Sequence, residues 1–412
     1  MRTAKFIYKC TGCDSEYDAA QPLYLCPVCS ASNIVNTPPK GILKVLYDYH
    51  KIRDGITVFA DLKKKAFADL LPLNSLGSLP PLRVGDTPLY QVTEVDGRKL
   101  PFYLHIKDDS QNPTWSFKDR ASALVSAYAR ERNIDTIVTA STGNAGSSLA
   151  GICASQRQKA VIIIPETAPQ AKLTQVVMYG ATIVPVKGTY DEAFDLSVRA
   201  TEEFGWYNRN TAFNPLTVEG KKTASFEIFE QLHQRVPDRI FIPAGDGVIL
   251  SGVYKGFEEL MLLNLTDRIP VIVAVQSERS DNLVRNISLD EFKIMPSSSV
   301  ADSISVDIPR NFHMARRFIH DYNGETLTVS DDEILRASKT LSANTGLFAE
   351  PAAAAAFAGL LSYQTNNLLP EDSCNVVLLT GSGLKDLRSV SPVVKIPAAI
   401  YPAIDNLARL VQ

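Results

Sequence analysis

Four of the six cysteines fall into two C-x-x-C pairs near the N-terminus, Cys10 with Cys13 and Cys26 with Cys29. Each pair can present two thiolates from one tight turn, and two such turns facing each other form a tetrahedral sulfur cage suited to zinc. Four thiolates leave no coordination position for a substrate, so the ion would be structural; without metal the same residues would be reduced thiols or redox-active pairs. A module this small has little apolar core and would need such a staple. A different chemistry attaches to Lys118, which follows the run from Ser110 to Phe117 and opens a helix-like segment. The helix dipole favours anions at that end, so an amine there is easier to deprotonate, as one that condenses with a carbonyl must be. Two small-residue turns accompany it. One runs from Ala140 to Gly146 through Ser141, Thr142, Gly143 and Asn144; the other runs from Ala244 through Gly245, Asp246, Gly247, Val248 and Ile249. Each joins a strand to a helix, where backbone N–H groups can approach an anion. Taken singly, each feature has an ordinary reading: a solvated surface lysine, or a tight strand-to-helix connection.

These residues need a scaffold that brings them together. Short β-branched runs at 134–140, 160–165, 182–186, 239–243, 271–276 and 375–379 read as strands, and helical apolar spacing covers 117–132, 168–179, 191–204 and 218–233. Strands apolar on both faces that alternate with helices predict parallel sheets covered on each side, with ligands where strand ends feed into helix starts. A chain of 412 residues is too long for one simple core. The expected division is a zinc ribbon and leading strand over 1–50, a large α/β domain from 51–134 and 216–412, and a small α/β domain inserted at 135–215. With 42 Lys plus Arg against 45 Asp plus Glu and no basic block, nucleic acid is not an expected partner. No apolar run is long enough to span a bilayer and the N-terminus carries no secretory pattern, so a cytoplasmic protein without membrane contact is expected.

The motifs stand in a telling order. Ser116-Phe117-Lys118-Asp119-Arg120, Ser141-Thr142-Gly143-Asn144, the glycine turn at 245–247 and the run from Thr380 to Asp386 resemble those of threonine synthases, pyridoxal-phosphate enzymes of the tryptophan-synthase-β fold type. The segments Gly85 to Leu89, Asn214-Pro215, Glu219 to Thr223 and Glu350-Pro351 support the likeness, which runs from the cysteine ribbon to about residue 390. The resemblance implies a two-domain α/β body with the cofactor in the cleft between domains. Lys118 would be the Schiff-base lysine, Asn144 would meet the cofactor's phenolic oxygen, and backbone amides of 245–249 would hold its phosphate. Thr380 would lie at the pyridine nitrogen, where a hydroxyl in place of a carboxylate leaves that nitrogen largely unprotonated and suits β- and γ-elimination and replacement. Ser141, Thr142 and the amides of their loop, Gly143 included, would meet the carboxylate of a small amino-acid substrate. The implied reaction converts O-phosphohomoserine and water to threonine and phosphate. This fold type commonly dimerises, which makes a homodimer the expected assembly.

The pattern departs from the family where the substrate phosphate should bind. There the family uses the residue after the loop asparagine, usually threonine, and a serine and an arginine just before the Glu-Gly-x-Lys-Thr segment; here those positions are Ala145, Ala212 and Thr217. Other basic residues, Lys221 and Lys222 among them, would then have to supply a replacement site. A related β-elimination or β-replacement enzyme acting on serine, threonine, phosphoserine or diaminopropionate is the alternative reading. Cys153 and Cys374 read as buried small hydrophobes, and the five histidines as structural or exposed.

Overall fold

The computed structural model describes residues 5–411. Its strands are β1 (Phe6–Cys10), β2 (Glu16–Asp18), β3 (Leu43–Tyr47), β4 (Leu89–Val95), β5 (Arg98–Asp108), β6 (Thr136–Ala140), β7 (Lys159–Pro165), β8 (Thr182–Val186), β9 (Tyr207–Asn208), β10 (Arg239–Pro243), β11 (Val271–Ser277), β12 (Glu325–Val329) and β13 (Cys374–Leu379). Among the described residues they build three sheets, ordered β2-β1-β3, β12-β11-β10-β13-β5-β4 and β8-β7-β6-β9. The last is parallel throughout, and the six-stranded sheet is parallel except for β4, which runs antiparallel to β5. The runs read as strands from their β-branched composition all lie on strands, because both faces of a covered parallel sheet demand apolar side chains. Within the body β4, β5, β9 and β12 escape that reading: β4 and β12 are sheet edges, β9 has two residues, and β5 interrupts its apolar residues with Pro101, His105 and Lys107. No helix among the described residues is long and apolar enough to cross a membrane.

The segment expected to lead from the ribbon into the body is instead the third strand of the ribbon's own sheet. β3 pairs antiparallel with β1, Tyr8 opposite Val45. It also reaches the body: the Tyr47 hydroxyl donates to Glu219 at 2.6 Å, and Lys44 pairs with Glu258 at 2.5 Å. Cys153 is buried as expected, whereas Cys374 at the start of β13 is only half-buried.

Helical spacing over 218–233 resolves into two helices, Leu216–Lys221 and Thr223–Gln231, which meet at Lys222. The first is wedged between its neighbours. A Cβ on Gly220 would lie 2.2 Å from the Arg120 carbonyl oxygen, and one on Gly252 would lie 2.7 Å from the Lys221 Cβ. The helix Lys118–Glu131 and the helix Val248–Leu262 are thereby drawn against Leu216–Lys221 from two sides. Beside this contact Arg120 donates to Asp109 at 2.5 and 2.9 Å and to Glu227 at 2.6 and 2.7 Å, and Lys107 donates to Glu227 at 2.6 Å. That buried ion-pair set anchors the turn ahead of Lys118. Changing Gly220 to Ala should therefore cost about 3 kcal/mol, the upper range for overpacking a core. A thermal midpoint unchanged from the wild type would show that the helices can part without cost.

Candidate active site

At the ends of β6 and β10 the chain surrounds a cavity of about 380 Å³, lined by Lys118, the loop from Ser141 to Ala145, Thr211, Asp246 and the segment 297–310. None of the five histidines lines it. β6 ends at Ala140, and after Gly143 the helix Asn144–Gln156 begins. Only glycine fits two residues into that helix, since a Cβ on Gly146 would sit 2.5 Å from the Ser141 carbonyl oxygen. Ser141, Thr142 and Gly143 line the cavity, and the Asn144 amide donates to both carboxylate oxygens of Glu350, at 2.8 and 3.1 Å. Burial raises the Glu350 pKa above the ordinary carboxylate value, a shift that Asn144 and, more weakly, Lys118 oppose. Glu350 stands at the start of the helix Pro351–Thr365, marked in the sequence only as part of a supporting segment without a role.

Lys118 occupies the first position of its helix and faces the cavity. Burial lowers its pKa, and the Arg209 guanidinium lowers it further, while Asp246 and Glu350 act in the opposite sense. Arg209 follows β9 and is fully buried. It donates to Ser122 Oγ at 3.1 Å, Thr211 Oγ1 at 2.7 Å and the Lys118 carbonyl at 3.4 Å; burial brings its pKa down to about 10.

The second glycine turn forms an inner recess of about 30 Å³, lined by residues 243–250 together with Lys118, Thr211, Lys221 and Ser303. Gly247 adopts φ +84° in the left-handed region, and a Cβ on Gly245 would come within 3.0 Å of the Ile304 backbone. The first intrahelical bond of Val248–Leu262 runs from Ser251 N to the Gly247 carbonyl at 3.0 Å, so the amides of Val248, Ile249 and Leu250 precede the ladder and are free to meet an anion. A dipole-favoured N-terminus and a buried, partnerless Lys221 ammonium in one small recess fit a phosphate group. An amine of lowered pKa at its edge fits a carbonyl. Thr380, at the end of β13, accepts a bond from Phe117 N at 2.9 Å through its carbonyl and so braces the residue before Lys118.

Two expectations need correction. Lys222 does not reach the cavity, because its ammonium is held at 2.6 Å by Glu219 and 2.8 Å by Glu259 in a buried cluster with Lys255 and Tyr47. Lys221 lines the inner recess and not the outer cavity. Besides Lys118, the outer cavity is lined by the basic residue Arg310, which lies over the Phe194 ring at 4.2 Å and pairs with Asp191. It also shares a second cavity wall with Ala212. Sequence reading missed Arg310 because the polar stretch before it shows neither period nor motif.

In the ribbon the four cysteine sulfurs lie within 4.8 Å of one another, with Cys10 to Cys29 and Cys13 to Cys26 each at 3.7 Å. Tyr17 contacts the Cys26 sulfur at 3.0 Å.

Residues 81–381 match the family model described as pyridoxal-phosphate dependent enzyme. The chain is 30% identical to the threonine synthase of Methanocaldococcus jannaschii over 98% of its own length and 99% of that protein's. It is 32% identical to the threonine synthase of Methanosarcina acetivorans, covering 98% of each. Among solved structures it resembles the processed form of threonine deaminase isoform 2 from Solanum lycopersicum, with a TM-score of 0.66, 22% identity, and 82% and 94% of the two chains covered. The likeness shows the fold, a two-domain α/β architecture of the tryptophan-synthase-β type.

The lowered Lys118 pKa has a direct readout. In cofactor-free protein, reductive methylation followed by peptide mass spectrometry should reach half-extent for Lys118 at a lower pH than for exposed lysines. A midpoint equal to or above theirs would contradict the electrostatics described.

Proposed function

The chain belongs to the threonine synthase family of pyridoxal-phosphate dependent enzymes, and from that premise we propose that its cleft converts O-phosphohomoserine and water to threonine and phosphate, with the cofactor carried on Lys118. The observation that supports this best is the meeting of a low-pKa amine, an anion recess and the Ser141–Asn144 loop at one cavity. When bound, the cofactor supplies a carbonyl for the substrate amine and a ring that withdraws charge from Cα. The chain's own residues supply the rest. The loop amides and hydroxyls of Ser141, Thr142 and Gly143 hold the substrate carboxylate, and Asn144 and Thr380 would hold the cofactor at its phenolic oxygen and its pyridine nitrogen respectively. Loss of phosphate from Cγ and addition of water at Cβ require protons to move at Cα and Cβ. Lys118, neutral at lower pH than an ordinary lysine, takes and returns them.

Arg310 supplies the charge that Ala145, Ala212 and Thr217 lack. Its guanidinium lines the same cavity as Lys118, and a phosphate dianion competes well with the exposed Asp191 for it. The Arg310–Asp191 pair also joins the 297–310 segment to the helix Tyr190–Phe204 at the cleft, where it limits the entry of water. In this reading 135–215 is the smaller domain and 51–134 with 216–412 the larger. The alternative, a β-elimination or β-replacement enzyme, draws on one observation: Arg310 is already paired.

Borohydride should fix the cofactor to a peptide containing Lys118, and Lys118→Ala should lose turnover by several orders of magnitude. Arg310→Ala should raise KM for O-phosphohomoserine by about thirtyfold or more while retaining cofactor, the scale of one lost charged contact of about 2 kcal/mol. Wild-type protein that ignores O-phosphohomoserine yet deaminates serine, threonine or diaminopropionate would decide for the alternative.

For the ribbon we infer a structural zinc ion. A tetrahedral ion with Zn–S distances of about 2.3 Å spaces its sulfurs about 3.8 Å apart, close to the 3.7 Å separations of the two cross-pairs. Metal analysis should return one zinc per chain, lost in a Cys10→Ser, Cys13→Ser double variant that keeps its cofactor absorbance. Protein purified without chelator and free of zinc would contradict it.

A further inference from the structure

We propose that Lys221 is the cationic partner of the cofactor's phosphate, so that the recess binds that phosphate through a side-chain charge as well as through backbone amides. The inference rests on the cofactor reading above and on three observations. The Lys221 side chain is fully buried and its ammonium has no hydrogen-bond partner. It lines the recess formed by Gly245, Asp246, Gly247, Val248 and Ile249 at the start of a fifteen-residue helix. Its stem is pressed against that helix where Gly252 leaves room, since a Cβ there would meet the Lys221 Cβ at 2.7 Å.

Each observation describes a cost that the protein's own groups leave uncompensated. A buried ammonium without a partner is unfavourable, and a cation facing a helix N-terminus is opposed by the dipole as well. Burial accordingly lowers the Lys221 pKa, with Lys118 and Arg209 adding to the effect. A dianion lying between the helix amides and the ammonium reverses both costs together. Asp246, the acid nearest in influence, does not serve: one of its carboxylate oxygens accepts from Arg310 N at 3.2 Å, and no ion pair links it to Lys221. Thr211 completes the set. Its hydroxyl accepts from Arg209 at 2.7 Å, which leaves its own proton to donate into the recess. An uncharged stem of similar length would fill the space equally well, so packing alone does not account for a lysine here.

The test compares pyridoxal phosphate with pyridoxal, which lacks the phosphate, as ligands of full-length wild type, Lys221→Gln, Lys221→Met and Lys221→Arg, read by the absorbance of the bound cofactor. The Gln and Met variants should bind pyridoxal phosphate roughly thirtyfold more weakly or worse, with pyridoxal affinity changed by less than about threefold. Lys221→Arg should keep much of the preference. Equal loss for both ligands, or no loss for either, overturns the proposal, and a wild type that binds neither overturns the cofactor reading with it. A second measurement needs no variant. In wild-type holoenzyme the phosphorus resonance should stay at its dianion position through pH 6, about where a free phosphate ester takes up its proton. A resonance that titrates like the free ester also overturns the proposal.

Discussion

Three basic side chains, Lys118, Arg209 and Lys221, meet inside this protein with no carboxylate paired to any of them among the described residues. The other fully buried cations among the described residues lie against acids: Lys107 and Arg120 with Asp109 and Glu227, Lys222 and Lys255 with Glu219 and Glu259. The contrast separates structure from function. A desolvated cation costs several kcal/mol unless something compensates it. The paired set lies within the framework, and the unpaired set faces the recess and cavity proposed above to take anionic groups. Much of the surrounding packing serves to hold the unpaired three in position. Gly220 and Gly252 let three helices approach closely enough to fix Lys221 and the start of the Lys118 helix.

The same unbalanced charge tunes the reacting groups. Arg209 makes the Lys118 amine easier to deprotonate, and burial makes Glu350 easier to protonate. The two shifts run in opposite senses, the amine losing its proton and the acid keeping its proton more readily than the free groups do, and Asn144 links Glu350 to the loop that lines the cavity. Arg310 lies farther out and is pinned by Asp191, its charge available to a substrate that offers a stronger anion.

The ribbon is bound into this arrangement and does not hang free. The hydroxyls of Tyr47 and Tyr49, at the end of β3 and just past it, reach Glu219 and Glu259, the acids that neutralise Lys222 and Lys255. Glu219 is two residues from Lys221, on the short helix that Gly220 presses against the Lys118 helix. Ordering the four cysteines thus supports, through β3, the element that carries Lys221.

Local pattern was enough for much of this. The paired cysteines, the buried parallel strands and the two glycine turns are each specified by neighbours in sequence, because turn chemistry and two-sided burial are short-range demands. Lys118 was legible through its place at a helix start between motifs in a known order. The edge strands β4 and β12 and the 297–310 segment were not, since solvent on one side removes the apolar signal. Arg310 and Glu350 entered the site only because distant strand ends converge there. Lys221 and Lys222 make the point most sharply. They are neighbours of one residue type, and helical geometry turns adjacent side chains about 100° apart. Packing alone decided that one enters the small recess at the start of the helix Val248–Leu262 and the other a cluster of acids.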